Sequence, residues 1–130
     1  AGMERMFEGL WAEVGEPEGK PVLTVMLMHG IGLGPWFFSP WFPLFLRQGI
    51  RYVALRMPGH TKEQPDARLK DMVDAGKRVM QRLSGEGPVA VVGHSFSGLV
   101  AQLLAMEHDF QSLVLVAPLP PAPQPEEAGA

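Results

Sequence analysis

A serine at the bend between a buried strand and a helix is a candidate nucleophile, and Ser95 sits at such a bend. Its surroundings read Val91-Val92-Gly93-His94-Ser95-Phe96-Ser97-Gly98-Leu99-Val100. An apolar run from Val89 to Val92 leads in, and Phe96, Leu99, Val100, Leu103 and Leu104 lead out with helical spacing. The chain must therefore reverse sharply at Ser95. In a G-x-S-x-G turn, small residues on both sides of the serine let strand and helix approach while the hydroxyl projects above the sheet edge. Gly93 fills the first position. Ser97 stands at the fifth, where the pattern has glycine, and Gly98 follows. Serine is small enough for the close approach. The competing reading is an ordinary strand-to-helix turn that happens to contain a serine.

A second segment supplies what such a serine would need. Val22 to Met28 reads as another buried strand and runs into His29-Gly30-Ile31-Gly32-Leu33-Gly34, a loop with three glycines and no bulky charge. Acyl transfer requires two N–H donors aimed at the oxygen that becomes negative. One comes from the residue after the nucleophile and one from the loop after an adjacent strand. Phe96 and Ile31 occupy those positions, with Gly30 and Gly32 on either side of Ile31.

Together with Ala54-Leu55-Arg56-Met57-Pro58-Gly59-His60, these blocks resemble the α/β-hydrolase superfamily from about Val22 to Ala117. They follow the order and approximate spacing of that family's third, fourth and fifth strands. The resemblance implies an α/β fold, a three-layer sandwich with a mostly parallel sheet, truncated relative to the family. It implies a serine hydrolase acting on an ester or related acyl bond, with a small-molecule acyl substrate and no cofactor. Family members carry the acid after a later strand and the catalytic histidine after the last one, so the triad is expected to be incomplete within these 130 residues.

Four histidines are candidates for the base. By the resemblance, His29 and His94 are scaffolding: one orients the oxyanion loop, and the other follows the elbow glycine and points away from substrate. His108 is expected to face the negative end of the helix that starts at Phe96. His60 differs, because its loop lies at the carboxyl end of a strand, on the same rim as Ser95, where open α/β sheets bind ligands. The base is then His60 or a group supplied in trans. Arg56 departs from the acidic residue often found before the Pro-Gly-His loop of the family.

Six of the eleven aromatic residues, Trp36, Phe37, Phe38, Trp41, Phe42 and Phe45, crowd into ten positions after the glycine loop. The favoured reading makes them core beneath a helix packed on the sheet. The alternatives are an apolar acyl or aryl pocket beside Ser95, with Trp36 as a substrate contact, or a surface that docks a partner. No pair of histidines has metal-ligand spacing on a helix, so no metal site is expected.

The elements that must position these residues can be read coarsely. One or two edge strands lie in residues 1–20; Ser39 to Gln48 reads as a helix ended by Gly49; Arg51 to Met57 reads as a strand. The clearest helix spans Asp66 to Leu83, with Leu69, Met72, Val73, Gly76, Met80 and Leu83 on one stripe and its charges on a solvated face. Phe96 to Glu107 is a further helix, and Leu113 to Ala117 a further strand. Alternation of strand and helix argues for a parallel sheet covered on both faces.

Leu113 to Val116 is apolar on both faces yet would form the sheet edge, which invites pairing. Either the tail covers it, two copies pair as a homodimer, or a completing partner chain supplies the missing strands. Residues 1–117 are expected to form the domain and residues 118–130 a flexible proline-rich tail.

Composition limits the function classes. Hydrophobic residues make up 46% of the chain, enough for a core, and the net charge of −3 with no basic stripe argues against a nucleic-acid surface. There is no cysteine, hence no disulfide or thiolate nucleophile. The apolar runs are too short for a membrane span of about 18 residues, and no signal-peptide pattern opens the chain, which makes a cytoplasmic location the expectation. The rival to a hydrolase is a non-catalytic binding or assembly module that keeps the turn as architecture.

Overall fold

A computed structural model describes residues 3–60 and 66–116. Six strands form one sheet: β1 (Met3–Phe7), β2 (Leu10–Gly15), β3 (Leu23–Met28), β4 (Ile50–Leu55), β5 (Val89–His94) and β6 (Ser112–Val116). Three α-helices join them: α1 (Phe42–Arg47), α2 (Leu69–Ser84) and α3 (Phe96–Ala105), with a 3-10 helix over Pro35–Trp41. The sheet runs in the order β1-β2-β4-β3-β5-β6. β4, β3, β5 and β6 are parallel, and the β1–β2 hairpin adds to β4 antiparallel.

Period-two alternation divides the apolar residues of the central strands between two cores. Val25, Leu27, Tyr52, Ala54, Ala90 and Val92 face Phe38 and Phe42. On the other face, Met26, Met28, Val53, Leu55, Val89 and Val91 meet Met72, Val79, Met80 and Leu83 of α2 and Val100 and Leu104 of α3. The result is the expected three-layer α/β arrangement.

The aromatic cluster is mostly core. Phe42 stacks on Tyr52 with centroids 4.0 Å apart, and Phe37, Trp41 and Phe45 pack against the same cluster. Trp36 alone stands out, 57% exposed.

Two helices start later than in the sequence reading, and α3 ends at Ala105 rather than Glu107. Instead of one helix over Ser39–Gln48, the chain makes the 3-10 helix and then α1, which starts only at Phe42. Pro40 disfavours an α conformation at Ser39 and offers no N–H, whereas Pro43 sits in the first turn of α1, where no N–H is needed. α2 begins at Leu69 rather than Asp66, because Arg68 is extended (φ −98°, ψ 166°) and the Asp71 carboxylate accepts the Arg68 N–H at 2.8 Å.

The hairpin is fastened to α2 by the Arg82 guanidinium, 4.2 Å from the Phe7 ring centroid and 3.3 Å from the Glu8 carboxylate. β6 is the sheet edge among the described residues, with Val114 45% exposed and Leu113, Leu115 and Val116 half-buried. The expected tail at 118–130 lies outside the described residues. Among the described residues, no helix is long and apolar enough to cross a membrane.

Leu104, fully buried between α3, α2 and the sheet, tests the larger core. Leu104→Ala is expected to cost about 2–5 kcal/mol, read as a lower denaturant midpoint at unchanged slope. A loss under about 1 kcal/mol would contradict this packing.

Candidate active site

Ser95 is the single residue between the end of β5 and the start of α3. Its backbone has φ 56° and ψ −120°, and Glu8 is the only other non-glycine residue with positive φ among those described. Such a conformation costs on the order of 1–3 kcal/mol and persists only when its surroundings fix it. Here the Ser95 N–H donates to the Val116 carbonyl at 3.0 Å, and the Ser95 carbonyl accepts the Gly98 N–H at 2.8 Å.

Strand and helix approach closely at Gly93. A Cβ there would lie 2.3 Å from the Ser97 carbonyl oxygen, so no larger residue fits without displacing the helix. Ser97 itself is buried, and its hydroxyl donates to the His29 carbonyl at 2.5 Å. The residue that departs from the glycine pattern is thus a strap from the start of α3 to the end of β3. The sequence reading missed this role; the available signal was a small hydroxyl residue where a helix start must meet a strand end.

The loop after β3 lies against Ser95. A Cβ on Gly30 would stand 3.2 Å from Ser95 Cβ and 2.9 Å from His94 Nδ1, so only a bare backbone fits between them. The Gly30–Ile31 peptide has its carbonyl engaged by His29 Nδ1–H at 2.7 Å and by the Leu33 N–H at 3.2 Å. Because a trans peptide directs its N–H opposite its carbonyl, the Ile31 N–H points away from His29. Among the described residues, neither this N–H nor that of Phe96 has an acceptor. The Ile31 and Trp36 side chains are exposed at 64% and 57%.

Three histidines surround this loop. His29 is buried; its Nε2 accepts the Met57 N–H at 3.0 Å while Nδ1 donates to Gly30, which fixes the neutral tautomer. Burial lowers its pKa from 6.5 to about 4, opposed by the Gly30 hydrogen bond and assisted by the nearby His60, Arg56 and His94. His94 stacks on Phe37 at 4.3 Å.

His60 accepts the Gly32 N–H on Nε2 at 2.7 Å, its Nδ1 is 3.4 Å from the Pro58 carbonyl, and its ring meets His29 edge-on at 4.8 Å. No hydrogen bond joins His60 to Ser95 among the described residues. A cavity of about 200 Å³ lies beside it, lined by Ile31, Gly59, His60, Asp66, Ala67 and Met72. Arg56, where an acidic residue was the familiar choice, pairs with Glu4 at 3.5 Å.

Comparison with known proteins places the fold. Residues 25–130 match the profile of the Alpha/beta hydrolase family. The chain belongs to that family. No curated relative matches its sequence. Among solved structures, TT1662 from Thermus thermophilus is similar at 18% identity and a TM-score of 0.72, covering 99% of this chain and 65% of its own. An epoxide hydrolase from Vigna radiata is similar at 20% identity and a TM-score of 0.71, over 99% of this chain and 45% of its own. An esterase from Exiguobacterium antarcticum aligns at 21% identity and a TM-score of 0.68, over 91% of this chain and 46% of its own. The chain therefore spans about half to two thirds of the length of these proteins.

The neutral His29 makes stability depend on pH. Its folded pKa of about 4 lies below the ordinary 6.5, so the unfolded chain binds the extra proton in that interval. The contribution is complete above pH 6.5 and is lost as the pH falls toward 4, on the order of 3 kcal/mol in total. Unfolding free energies measured across this window should decline with about one proton's slope in the wild type and more weakly in His29→Gln. Equal slopes in the two proteins would contradict the assignment.

Proposed function

We propose that Ser95 is the nucleophile of a serine hydrolase acting on an ester or related acyl bond. The observation that carries the reading is the fixed Ser95 turn at the carboxyl rim of the sheet, with the Gly30–Ile31 peptide held against it. Ser95 Oγ would attack the acyl carbon while its proton passes to a base. The carbonyl oxygen, now negative, would be received by the N–H groups of Ile31 and Phe96. Collapse of the tetrahedral adduct would expel the alcohol and leave an acyl-serine, which water then hydrolyses. Gly30 keeps the donor loop close to Ser95, Gly32 supplies its turn at φ +81°, and Ile31 on the loop and Trp36 in the 3-10 helix that follows offer exposed apolar surface for the acyl chain.

The base is the open member of the site. His60 already uses Nε2 to accept a backbone N–H. That favours a base from polypeptide that extends the sheet past β6, whether in the same protein, a second copy or a partner chain. The half-buried apolar side chains of β6 support pairing at this edge.

A fluorophosphonate tests the nucleophile, since attack at phosphorus uses the same hydroxyl and donors as acyl transfer. Labelling is expected on Ser95 and nowhere else, and Ser95→Ala should abolish it. Slow labelling is consistent with a missing base, because removing a triad member still leaves about 10³- to 10⁴-fold acceleration over water. A folded wild-type chain that stays unlabelled, even with the missing strands added as a separate polypeptide, would favour a non-catalytic module.

A further inference from the structure

His60 and His29 form a reciprocal tie between two loops. His29, from the loop after β3, accepts the N–H of Met57 in the loop after β4, and His60, from the loop after β4, accepts the N–H of Gly32 in the loop after β3. Each loop lends an imidazole to the other's backbone, and the two rings touch edge-on at 4.8 Å. Between these anchors lies the Gly30–Ile31 peptide. His29 holds its carbonyl through Nδ1–H at 2.7 Å, and His60 holds the next peptide N–H, that of Gly32, at 2.7 Å.

We propose that His60 is a positioning residue, whose neutral imidazole anchors the Gly32 N–H and thereby holds the Ile31 N–H in place for the oxyanion formed at Ser95. This rests on the serine-hydrolase reading above and assigns His60 a part in it other than the base. An Nε2 lone pair that accepts the Gly32 N–H is not available to take the Ser95 proton. Without the acceptor, the Gly32 peptide has lost its anchor on this side, and the neighbouring donor is no longer fixed before the reaction. Preorganisation is what makes such donors effective, since a donor that must reorient at the moment of reaction gives up much of its effect.

The two roles respond differently to substitution. Glutamine carries an amide oxygen that can accept an N–H but cannot act as a base, whereas alanine can do neither. The 130-residue chain, His60→Ala and His60→Gln are each reacted with a fluorophosphonate over a range of probe concentrations. Hydrogen exchange of the Gly32 and Met57 amides is followed by NMR in the same samples.

His60→Ala is expected to slow the covalent step by about tenfold to a hundredfold, with little change in the probe concentration for half-maximal rate. His60→Gln should stay within about threefold of the wild type. The Gly32 amide should exchange faster in the alanine variant but not in the glutamine variant, while Met57 stays protected in both and reports an intact loop.

Equal losses in His60→Ala and His60→Gln with Gly32 still protected in the latter would overturn the proposal and make His60 the base. Unchanged labelling in His60→Ala would overturn it too, by removing any role. Should His60→Ala fail to fold, His60→Gln alone decides: wild-type rates support positioning and lost rates reject it. A folded wild-type chain that stays unlabelled even with the missing strands added as a separate polypeptide overturns the serine-hydrolase reading itself, whatever the Gly32 amide does.

Discussion

The conformation of Ser95 is the constraint on which the arrangement of the site depends. A serine at φ 56° and ψ −120° is unfavourable by itself, so neighbouring groups must fix it from several sides. The Val116 carbonyl takes its N–H, Gly93 leaves room for Ser97 and Gly98, and the Ser97 hydroxyl ties the helix start to the His29 carbonyl. Each of these contacts joins α3 to a different part of the sheet end. Strain at the turn is therefore opposed by β3, β5 and β6 together.

The same bonds bring the glycine loop to Ser95. His29 is buried and neutral because both of its nitrogens are used, one on the Gly30 carbonyl and one on the Met57 N–H. This leaves the Gly30–Ile31 peptide with its carbonyl turned toward His29 and its N–H turned away. At the opposite end of the sheet the chemistry is different. Arg51 donates to Thr24 Oγ1 at 3.0 Å and pairs with Glu86 at 2.7 Å and Glu16 at 3.7 Å, fastening β3, β4 and two connecting turns. This network serves the amino-terminal ends of the strands, whereas the backbone donors of Ile31 and Phe96 lie at the carboxyl ends, where ligands of such sheets bind.

Much of this was legible in the sequence because it follows from pattern and residue type. The largely apolar runs Val22 to Met28 and Val89 to Val92 placed the central strands, and the stripe from Leu69 to Leu83 placed α2. The position of Ser95 followed from those neighbours. What the sequence could not disclose were contacts made across long separations. The Ser97 strap to His29 and the His60 tie to Gly32 depend on how two loops meet in space, and no local pattern encodes them. The helix expected from Ser39 was misjudged for a local reason, since Pro40 and Pro43 together postpone the α-helix to Phe42. The aromatic run was correctly weighted toward core, with Trp36 as the exposed exception.

The central claim is that Ser95 and the N–H groups of Ile31 and Phe96 converge on one reacting atom, and a crystal structure of the phosphonylated chain tests it most directly. The phosphonyl oxygen is predicted to lie about 2.7–3.1 Å from both backbone nitrogens, with phosphorus bonded to Ser95 Oγ. An adduct on another residue, or an oxygen turned away from both nitrogens, would contradict it.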